Sequence, residues 1–424
     1  MSKPNFIGYR CSLCDSTYGP DEVIYTCPKD SGNLDVIQDI KAIKNIPFKN
    51  LIYEQEFSLW RYLKLLPLIP PGGEGTPLRA AGWTPFYSPP KLKKKLGLQY
   101  LWVKDESSNP TASFKDRASA VVVARAQEID AETVVTASTG NAGAALAGMS
   151  AAVDQNAVII APKNAPPAKV AQLLIYGAQV FLVDGNYDSA FDLSIQAAQE
   201  FDWYCRNTGY NPFTLEGKKT AAYEIWEYLL KPPLMRKYQG DQIFTQEPLS
   251  IFVSVGDGNI ISGLHKGFKD LAALGLLERM PEIYGVQSQG SAAIANAFFK
   301  KTEQIIPITS DTLADSISVD MPRDGVRALR AATQTGGAYI TVSDAEILDA
   351  ISILGEVGIF AEPAGATSYA GLAKALREEL VSAGQPMLAL NTGNGLKDID
   401  AAVQAAGKSI IIEPSLDALK RVIK

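Results

Sequence analysis

The sequence predicts an α/β protein in which parallel sheets are covered by helices on both faces, giving three-layer α/β/α domains. Two observations predict this class. From about residue 95, short apolar segments typical of buried strands alternate with alanine-rich segments typical of helices. Several of the strand-to-helix junctions are glycine-rich turns. Buried strands separated by helices are typical of parallel sheets with both faces covered.

The predicted elements follow one another without an internal repeat. The predicted strands lie at 98–103, 133–137, 157–161, 179–183, 251–255, 283–286 and 387–390. The predicted helices lie at 114–129, 142–152, 168–176, 189–201 and 260–274. With 424 residues, of which 46% are hydrophobic and 20% charged, the chain is long enough for two or three domains.

Charge and composition exclude several classes of function. The net charge of −6 argues against a general nucleic-acid or anionic-membrane surface. The N-terminus lacks the apolar core of a signal peptide, and the uncharged stretch 133–153 is too polar for a membrane span. A cytoplasmic enzyme is therefore expected. Its one histidine, His265, falls in a predicted helix as a structural or surface residue, which leaves acid–base chemistry to lysines, carboxylates or a cofactor.

A small N-terminal module, residues 1–45, carries three of the four cysteines. Cys11, Cys14 and Cys27 have the spacing of a zinc ribbon whose fourth ligand is replaced by Asp30. Three thiolates and a carboxylate are able to hold zinc. A ribbon that keeps the fold without the metal is an equal alternative.

The stretch 109–117, Asn-Pro-Thr-Ala-Ser-Phe-Lys-Asp-Arg, joins a predicted strand to a predicted helix. Ser113 and Asp116 have the spacing of a capping box. Lys115 then falls in the first helical turn, where the helix dipole disfavours positive charge and eases loss of the ammonium proton. A neutral amine is a nucleophile that forms Schiff bases with carbonyls. The alternative is a solvated surface lysine.

Three turns after predicted strands carry polar groups suited to a ligand, since ligands bind at the carboxyl ends of parallel strands. The first turn contains Ser138, Thr139, Gly140 and Asn141, and its alternative interpretation is an ordinary helix cap. The third places Thr392 just past the last predicted strand.

The second turn is Gly256-Asp257-Gly258-Asn259, which opens the predicted helix 260–274. Two glycines beside free helical N–H groups form an anion site, most naturally for a phosphate. The turn lacks the third glycine of a dinucleotide-binding fingerprint. The carboxylate of Asp257 suits an anion loop only if it points away.

Taken together, the lysine motif, the Ser-Thr-Gly-Asn turn, the glycine turn and the late threonine resemble the pyridoxal-phosphate enzymes of fold type II. The resemblance runs from about residue 75 to 398. Within this group the chain looks most like the threonine synthases, because of Lys104-Asp-Glu, the run 211–220, the run 392–398 and the cysteine-bearing leader.

The resemblance implies roles for individual residues. Lys115 carries pyridoxal 5'-phosphate as a Schiff base and acts as the catalytic base. Asn141 hydrogen-bonds the phenolic oxygen of the cofactor, the backbone of 256–259 binds its phosphate, and Thr392 faces its pyridine nitrogen. The residues expected to bind the substrate are Ser113, Ser138, Thr139, Asn211 and Lys218.

The resemblance also implies an organisation. Residues 46–120 connect the ribbon module to the start of a large cofactor-binding domain, 121–212 form a small α/β domain, and 213–424 complete the large one. A homodimer is expected, with a small phosphorylated amino acid as its partner and neither nucleic acid nor membrane.

The implied reaction converts O-phospho-L-homoserine and water into L-threonine and phosphate. Three alternatives stay open: a serine or threonine dehydratase, a phosphoserine β-replacement enzyme such as cysteate synthase, and a non-catalytic binding protein on this fold. The sequence departs from the threonine synthases at Ala142 and Gly143, at Asp257, and at Thr214, where an arginine is common.

Positive charge to replace that arginine has four candidate sources: Lys218, Lys219, Arg323 and Arg327. Two further segments are expected to border the pocket. One is 362–366, which places Glu362 near the cofactor, and the other is the polar stretch 318–325.

Overall fold

The computed structural model describes residues 5–165, 167–231, 247–407 and 409–423. The strands are β1 (Phe6–Cys11), β2 (Thr17–Tyr18), β3 (Leu34–Gln38), β4 (Phe86–Tyr87), β5 (Leu101–Asp105), β6 (Thr133–Ala137), β7 (Asn156–Pro162), β8 (Gln179–Val183), β9 (Tyr204–Cys205), β10 (Ser250–Ser254), β11 (Glu282–Ser288), β12 (Tyr339–Val342) and β13 (Met387–Asn391).

The helices in the first half of the chain are α1 (Ile40–Lys44), α2 (Phe48–Leu51), α3 (Pro90–Leu96), α4 (Lys115–Glu128), α5 (Asn141–Ala151), α6 (Pro167–Ile175) and α7 (Tyr187–Glu200). Those in the second half are α8 (Phe213–Ile225), α9 (Asn259–Leu274), α10 (Ala293–Phe299), α11 (Gly325–Thr333), α12 (Asp344–Gly355), α13 (Pro363–Arg377), α14 (Ile399–Ala406) and α15 (Leu416–Val422). Within the described ranges, no helix is both long and apolar enough to cross a membrane.

The strands form three sheets. A three-stranded antiparallel sheet has the order β2-β1-β3. A six-stranded sheet has the order β12-β11-β10-β13-β5-β4, in which only the edge pair β4–β5 is antiparallel. A four-stranded parallel sheet has the order β8-β7-β6-β9. The predicted α/β class with parallel sheets is confirmed.

The central strands are buried along their whole length. Every residue of β5, β6, β10 and β13 is buried, which explains why their sequences are apolar runs without polar alternation. The prediction of 98–103 placed β5 too early, since the strand begins at Leu101. The strands β4 and β9, with two residues each, and β12 were not predicted.

Strand β8 corrects one prediction. It forms at 179–183 as expected, yet it is not buried, because it lies at the edge of the four-stranded sheet with β7 as its one neighbour. Phe181 and Leu182 are 51% and 48% exposed. The apolar composition of 179–183 therefore predicts that a strand forms, but it does not predict whether the strand is buried.

Helix α4, which begins at Lys115, is anchored by a buried network of charges. Lys104 donates to Glu224 at 2.6 Å, and Arg117 forms a paired contact with Glu106 at 2.7 and 2.8 Å. Arg117 also bonds to Glu224, and the Thr84 hydroxyl donates to Glu106 at 2.7 Å. Since the four charged residues are at most 1% exposed, they fix β5, α4 and α8 relative to one another.

The capping box predicted from Ser113 and Asp116 is wrong. The helix begins after Phe114, and no side chain caps it. The carboxylate of Asp116 instead accepts hydrogen bonds from the backbone N–H and the hydroxyl of Thr111. The spacing is that of a capping box, but the Asp116 carboxylate binds the preceding loop at Thr111 and does not cap the helix.

His265 lies in α9, as predicted, and is 5% exposed. Burial and the nearby Lys269 ammonium lower its pKa to about 3, although the Asp35 carboxylate opposes them. The only histidine of the chain is therefore a neutral packed residue.

Candidate active site

A cavity of about 870 Å³ is lined by residues that follow the carboxyl ends of strands in both larger sheets. Lys115 comes after β5, residues 256–259 after β10 and Thr392 after β13. From the four-stranded sheet, residues 138–142 follow β6 and Arg206 follows β9. Ligand sites in parallel α/β sheets lie at this end of the strands.

Lys115 supplies an amine to this cavity. Within the described residues, no hydrogen bond or ion pair engages its side chain. Burial lowers the pKa of Lys115, and the Arg206 charge lowers it further, while the carboxylates of Glu362 and Asp257 act in the opposite direction. The net shift is downward, so the neutral, nucleophilic amine forms more easily than in a surface lysine.

Asn141 and Glu362 meet beside Lys115. The amide of Asn141 donates to Oε1 of Glu362 at 2.7 Å, and Glu362 is 3% exposed. Burial raises the pKa of Glu362, against the lowering effect of the Lys115 charge. Both Glu362 and the stretch 318–325 were expected to border the pocket. Residues 318–321 and Arg323 line the large cavity, whereas Glu362 lines a smaller cavity that shares Asn141 with the large one.

The glycine turn 256–259 provides the N-terminus of α9. Gly258 has φ +92°, and a Cβ atom there would lie 2.6 Å from Cβ of Ala328, so that only glycine fits. The carboxylate of Asp257 accepts a hydrogen bond from the backbone N–H of Arg323 at 3.2 Å. Burial raises the pKa of Asp257 above its usual value, against the hydrogen bond from Arg323 and the charge of Lys218.

Lys218 brings positive charge to this turn. It is 1% exposed, and its Nζ donates to Oδ1 of Asn259 at 2.6 Å. The hydroxyl of Thr214 donates to the same oxygen at 3.2 Å. Positions 214 and 218 are one helical turn apart on α8 and reach the same point. Burial, together with the Arg206 and Lys115 charges, lowers the pKa of Lys218 well below its usual value.

The family of the chain follows from the match of residues 78–393 to the family model described as "Pyridoxal-phosphate dependent enzyme". This match covers most of the chain. The chain belongs to that family. The fold type II resemblance is thus confirmed, and Lys115 lies within the matched region.

Relatives within the pyridoxal-phosphate family include threonine synthases. The threonine synthase of Methanocaldococcus jannaschii is 39% identical over 418 residues, covering 98% of this chain and 99% of the relative. That of Methanosarcina acetivorans is 35% identical and covers 98% of each chain. The M. jannaschii and M. acetivorans matches include the N-terminal cysteine module, because they span nearly the whole chain.

Solved structures confirm the fold alone. O-ureido-L-serine synthase superposes with a TM-score of 0.64 at 18% identity, covering 82% of this chain and 99% of that chain. Threonine deaminase isoform 2 of Solanum lycopersicum gives 0.63 at 21% identity, covering 76% and 82%.

The residues present fit pyridoxal phosphate, the cofactor of this family. The cavity brings together a lysine of lowered pKa, an asparagine amide, a buried threonine and a glycine turn at a helix N-terminus. Gly256 is also restricted to glycine, since a Cβ atom there would lie 2.8 Å from Cα of Ile317. The two glycines keep the backbone at 256 and 258 uncovered by side chains, so that a phosphate is able to approach the N–H groups of the turn.

Not every residue expected to bind substrate lies on the cavity wall. Ser138, Thr139 and Lys218 line the cavity. Ser113 and Asn211 are buried outside the wall, and the Asn211 side chain bonds instead to the Cys205 carbonyl and the Phe213 N–H. Their roles toward a substrate stay predictions.

The four candidate cations separate into two pairs. Lys218 and Arg323 line the cavity. Lys219 is paired with Glu216 at 2.6 Å and with Asp270 at 2.9 Å, and Arg327 is paired with Asp324 at 2.6 Å. Lys219 and Arg327 therefore belong to buried ion pairs away from the cavity wall.

Many polar residues of the wall were not predicted from the sequence, among them Lys169, Tyr187, Asp188, Arg206, Thr208 and Ser254. Arg206 and Thr208 follow β9, a strand of two residues that leaves almost no signal in the sequence. The one usable signal was their place just before the Asn211-Pro212 motif.

The N-terminal module brings together the side chains predicted for a metal. Ligand atoms of Cys11, Cys14, Cys27 and Asp30 all lie within 4.8 Å of one another. The sulfurs of Cys14 and Cys27 are 3.7 Å apart. Two ligands of a tetrahedral zinc, each about 2.3 Å from the metal, are separated by about 3.8 Å.

Proposed function

We propose that the protein is a threonine synthase, which converts O-phospho-L-homoserine and water into L-threonine and phosphate. The observation that carries the proposal is the identity of 39% and 35% with two threonine synthases over 98% of the chain. The buried cations of the cavity support it, because a phosphorylated amino acid brings a second anion beside the cofactor phosphate.

Bound pyridoxal phosphate supplies the electron sink that allows carbanion chemistry at the amino acid. Lys115 and Asn141 would hold it, with residues 256–259 at its phosphate and Thr392 at its ring nitrogen. The lowered pKa of Lys115 fits the remaining work, which is to remove the substrate Cα proton and to assist proton loss at Cβ. The γ-phosphate leaves with the electrons of the Cγ–O bond, a proton returns to Cγ, water adds its hydroxyl at Cβ, and a proton returns to Cα.

The test is a spectrum followed by product analysis. Purified protein is expected to show the visible absorption band of bound pyridoxal phosphate. It is also expected to release equal amounts of phosphate and threonine from O-phosphohomoserine. Lys115→Ala removes both the band and the activity, while Lys91→Ala leaves both unchanged, since Lys91 is 62% exposed and paired with Glu356.

Other products identify the alternatives. Deamination of threonine or serine without need of a phosphorylated substrate indicates a dehydratase. Phosphate release from O-phosphoserine with sulfite, but not from O-phosphohomoserine, indicates a β-replacement enzyme. A purified protein without the cofactor band indicates a non-catalytic binding protein.

Zinc in the N-terminal module is a second proposal. The convergence of Cys11, Cys14, Cys27 and Asp30, three of them sulfur donors, supports it. Elemental analysis of purified protein is expected to give one zinc per chain, and Cys14→Ser is expected to lose it. If the purified protein contains no zinc and Cys14→Ser is as stable as the wild type, the module keeps the ribbon fold without a metal.

The expected cytoplasmic homodimer belongs to the same proposal and rests on the family resemblance. Sedimentation equilibrium of the purified chain gives the mass directly. A mass of one chain, 45.6 kDa, at micromolar concentration would overturn it.

A further inference from the structure

Arg206 is a buried arginine that forms no ion pair with any of the described residues. It directly follows β9, lies on the cavity wall and is 0% exposed. Its Nε donates to the Ser119 hydroxyl at 3.1 Å and its Nη1 to the Thr208 hydroxyl at 2.7 Å. Its Nη2 has no hydrogen-bond partner among the described residues.

Other buried arginines of the chain are paired with carboxylates. Arg61 is paired with Glu227 at 2.8 Å, Arg117 with Glu106 at 2.7 Å, and Arg327 with Asp324 at 2.6 Å. A buried charge or N–H group left without a partner is costly, so a ligand that brings an anion would stabilise Arg206. A guanidinium presents its N–H groups in a planar fork that matches two phosphate oxygens.

The surroundings of Arg206 are positive. Its charge contributes to the lowered pKa of both Lys115 and Lys218, and all three cations line the cavity. Two carboxylates, those of Asp116 and Asp257, oppose this positive charge, and both already accept hydrogen bonds, from Thr111 and from the backbone N–H of Arg323 respectively. Burial lowers the pKa of Arg206 to about 10, as expected for a cation that lacks a counterion.

Arg206 and the glycine turn belong to different sheets. Residues 256–259 follow β10 of the six-stranded sheet and open α9, and Lys218 donates to Asn259 in that turn. Arg206 follows β9 of the four-stranded sheet, and its hydrogen bonds go to Ser119 and Thr208. The cavity thus has two separate groups of anion-binding donors, one for the cofactor phosphate and one for a second anion.

We propose that Arg206 binds the phosphoryl group of the substrate. It thereby takes the role of the arginine that is common in threonine synthases at the position occupied here by Thr214. The proposal rests on the proposed function, since it requires a phosphorylated substrate. It makes Arg206 a specificity-determining residue, because an unphosphorylated amino acid leaves the guanidinium buried and unpaired.

The test uses the cofactor-loaded protein and inorganic phosphate as the probe. Calorimetric titration is expected to show phosphate binding to the wild type, weakened about ten- to hundredfold in Arg206→Gln, the range for loss of hydrogen bonds to a charged group. Arg206→Lys, which keeps the charge without the fork, is expected to fall in between. Arg377→Gln, which removes a 60% exposed arginine, is the control and leaves binding unchanged.

Steady-state kinetics give the second readout. Arg206→Gln is expected to raise KM for O-phosphohomoserine by at least as large a factor as it weakens phosphate binding. The visible band and the cofactor affinity stay as in the wild type. The band and the thermal unfolding midpoint also report whether each variant is folded, and Arg206→Lys serves if the glutamine variant is not.

Three results would overturn the proposal. They are no phosphate binding by the wild type, equal binding by the wild type and both Arg206 variants, and a loss confined to cofactor affinity. A different pattern separates this proposal from the proposed function. If phosphate binding depends on Arg206 but O-phosphohomoserine is not turned over, the anion site stands and the threonine synthase assignment fails.

Discussion

Two buried clusters of charge in this protein have opposite character. The first, formed by Lys104, Glu106, Arg117 and Glu224, joins β5, α4 and α8, and each of its charges has a counterion. The second, formed by Lys115, Arg206 and Lys218, lies on the cavity wall, and no ion pair engages it within the described residues. Burial alone does not distinguish the two clusters, but pairing does.

The pKa shifts express the same difference. In the first cluster the paired charges prevail over burial: the pKa of Glu224 falls to about 2, that of Glu106 is lowered and that of Arg117 is raised. In the cavity cluster all three pKa values are lowered, because burial is not offset by an anion. Paired buried charge indicates a structural role, and unpaired buried charge indicates a site for a ligand.

The largest effect is expected at Arg117. Arg117→Met leaves Glu106 and Glu224 with too few positive partners and should lower the free energy of unfolding by about 3–5 kcal/mol. Urea denaturation measures this loss. The control Arg377→Met should change it by less than about 0.5 kcal/mol. A similar small change at Arg117 would show that the paired cluster does not stabilise the fold.

His265 tests whether burial disfavours a positive charge elsewhere in the fold. Its pKa is about 3 when folded and about 6.5 when unfolded, so the unfolded chain binds more protons between these values. Stability is therefore lost as the pH falls from about 6.5 toward 3. Between pH 7 and 5 the wild type should lose about 2 kcal/mol more than His265→Gln in urea denaturation. Parallel losses in both proteins would contradict the assigned pKa.

The smallest effect is expected at Lys218. Lys218→Met removes a buried cation whose one hydrogen-bond acceptor is an amide oxygen, so the cofactor-free protein should be at least as stable as the wild type. Anion binding should suffer instead, with phosphate affinity about tenfold lower. Thermal unfolding and phosphate titration measure the two quantities. A destabilised variant that binds phosphate normally would place Lys218 with the structural cluster.

Much of the fold could be predicted because its central strands are apolar runs between helices. The strands around 133–137, 251–255 and 387–390 were predicted nearly to the residue, since their burial on both faces dictates their composition. The burial of β8 was not predictable, because composition does not reveal which strand lies at an edge.

The candidate site was predictable where a motif marks it. Lys115, Asn141 and the turn 256–259 stand in short polar or glycine-rich segments after clear strands, and all of them line the cavity. Arg206 was not predicted, because the strand that precedes it has only two residues. The missing partner of its Nη2 among the described residues is also visible only in the three-dimensional structure. Capping spacing also misled at Asp116, whose carboxylate bonds to Thr111.

The paired cluster has a consequence for the order of folding. Glu224 follows Lys104 by 120 residues and Arg117 by 107 residues, so its ion pairs close only after all four strands of the four-stranded sheet have been synthesised and α8 has docked. Until then, Glu106 is the single acid of this cluster that has been synthesised, and it has to meet both Lys104 and Arg117. The lysine motif, which ends at Arg117, is therefore fixed in its final position only after α8 has docked.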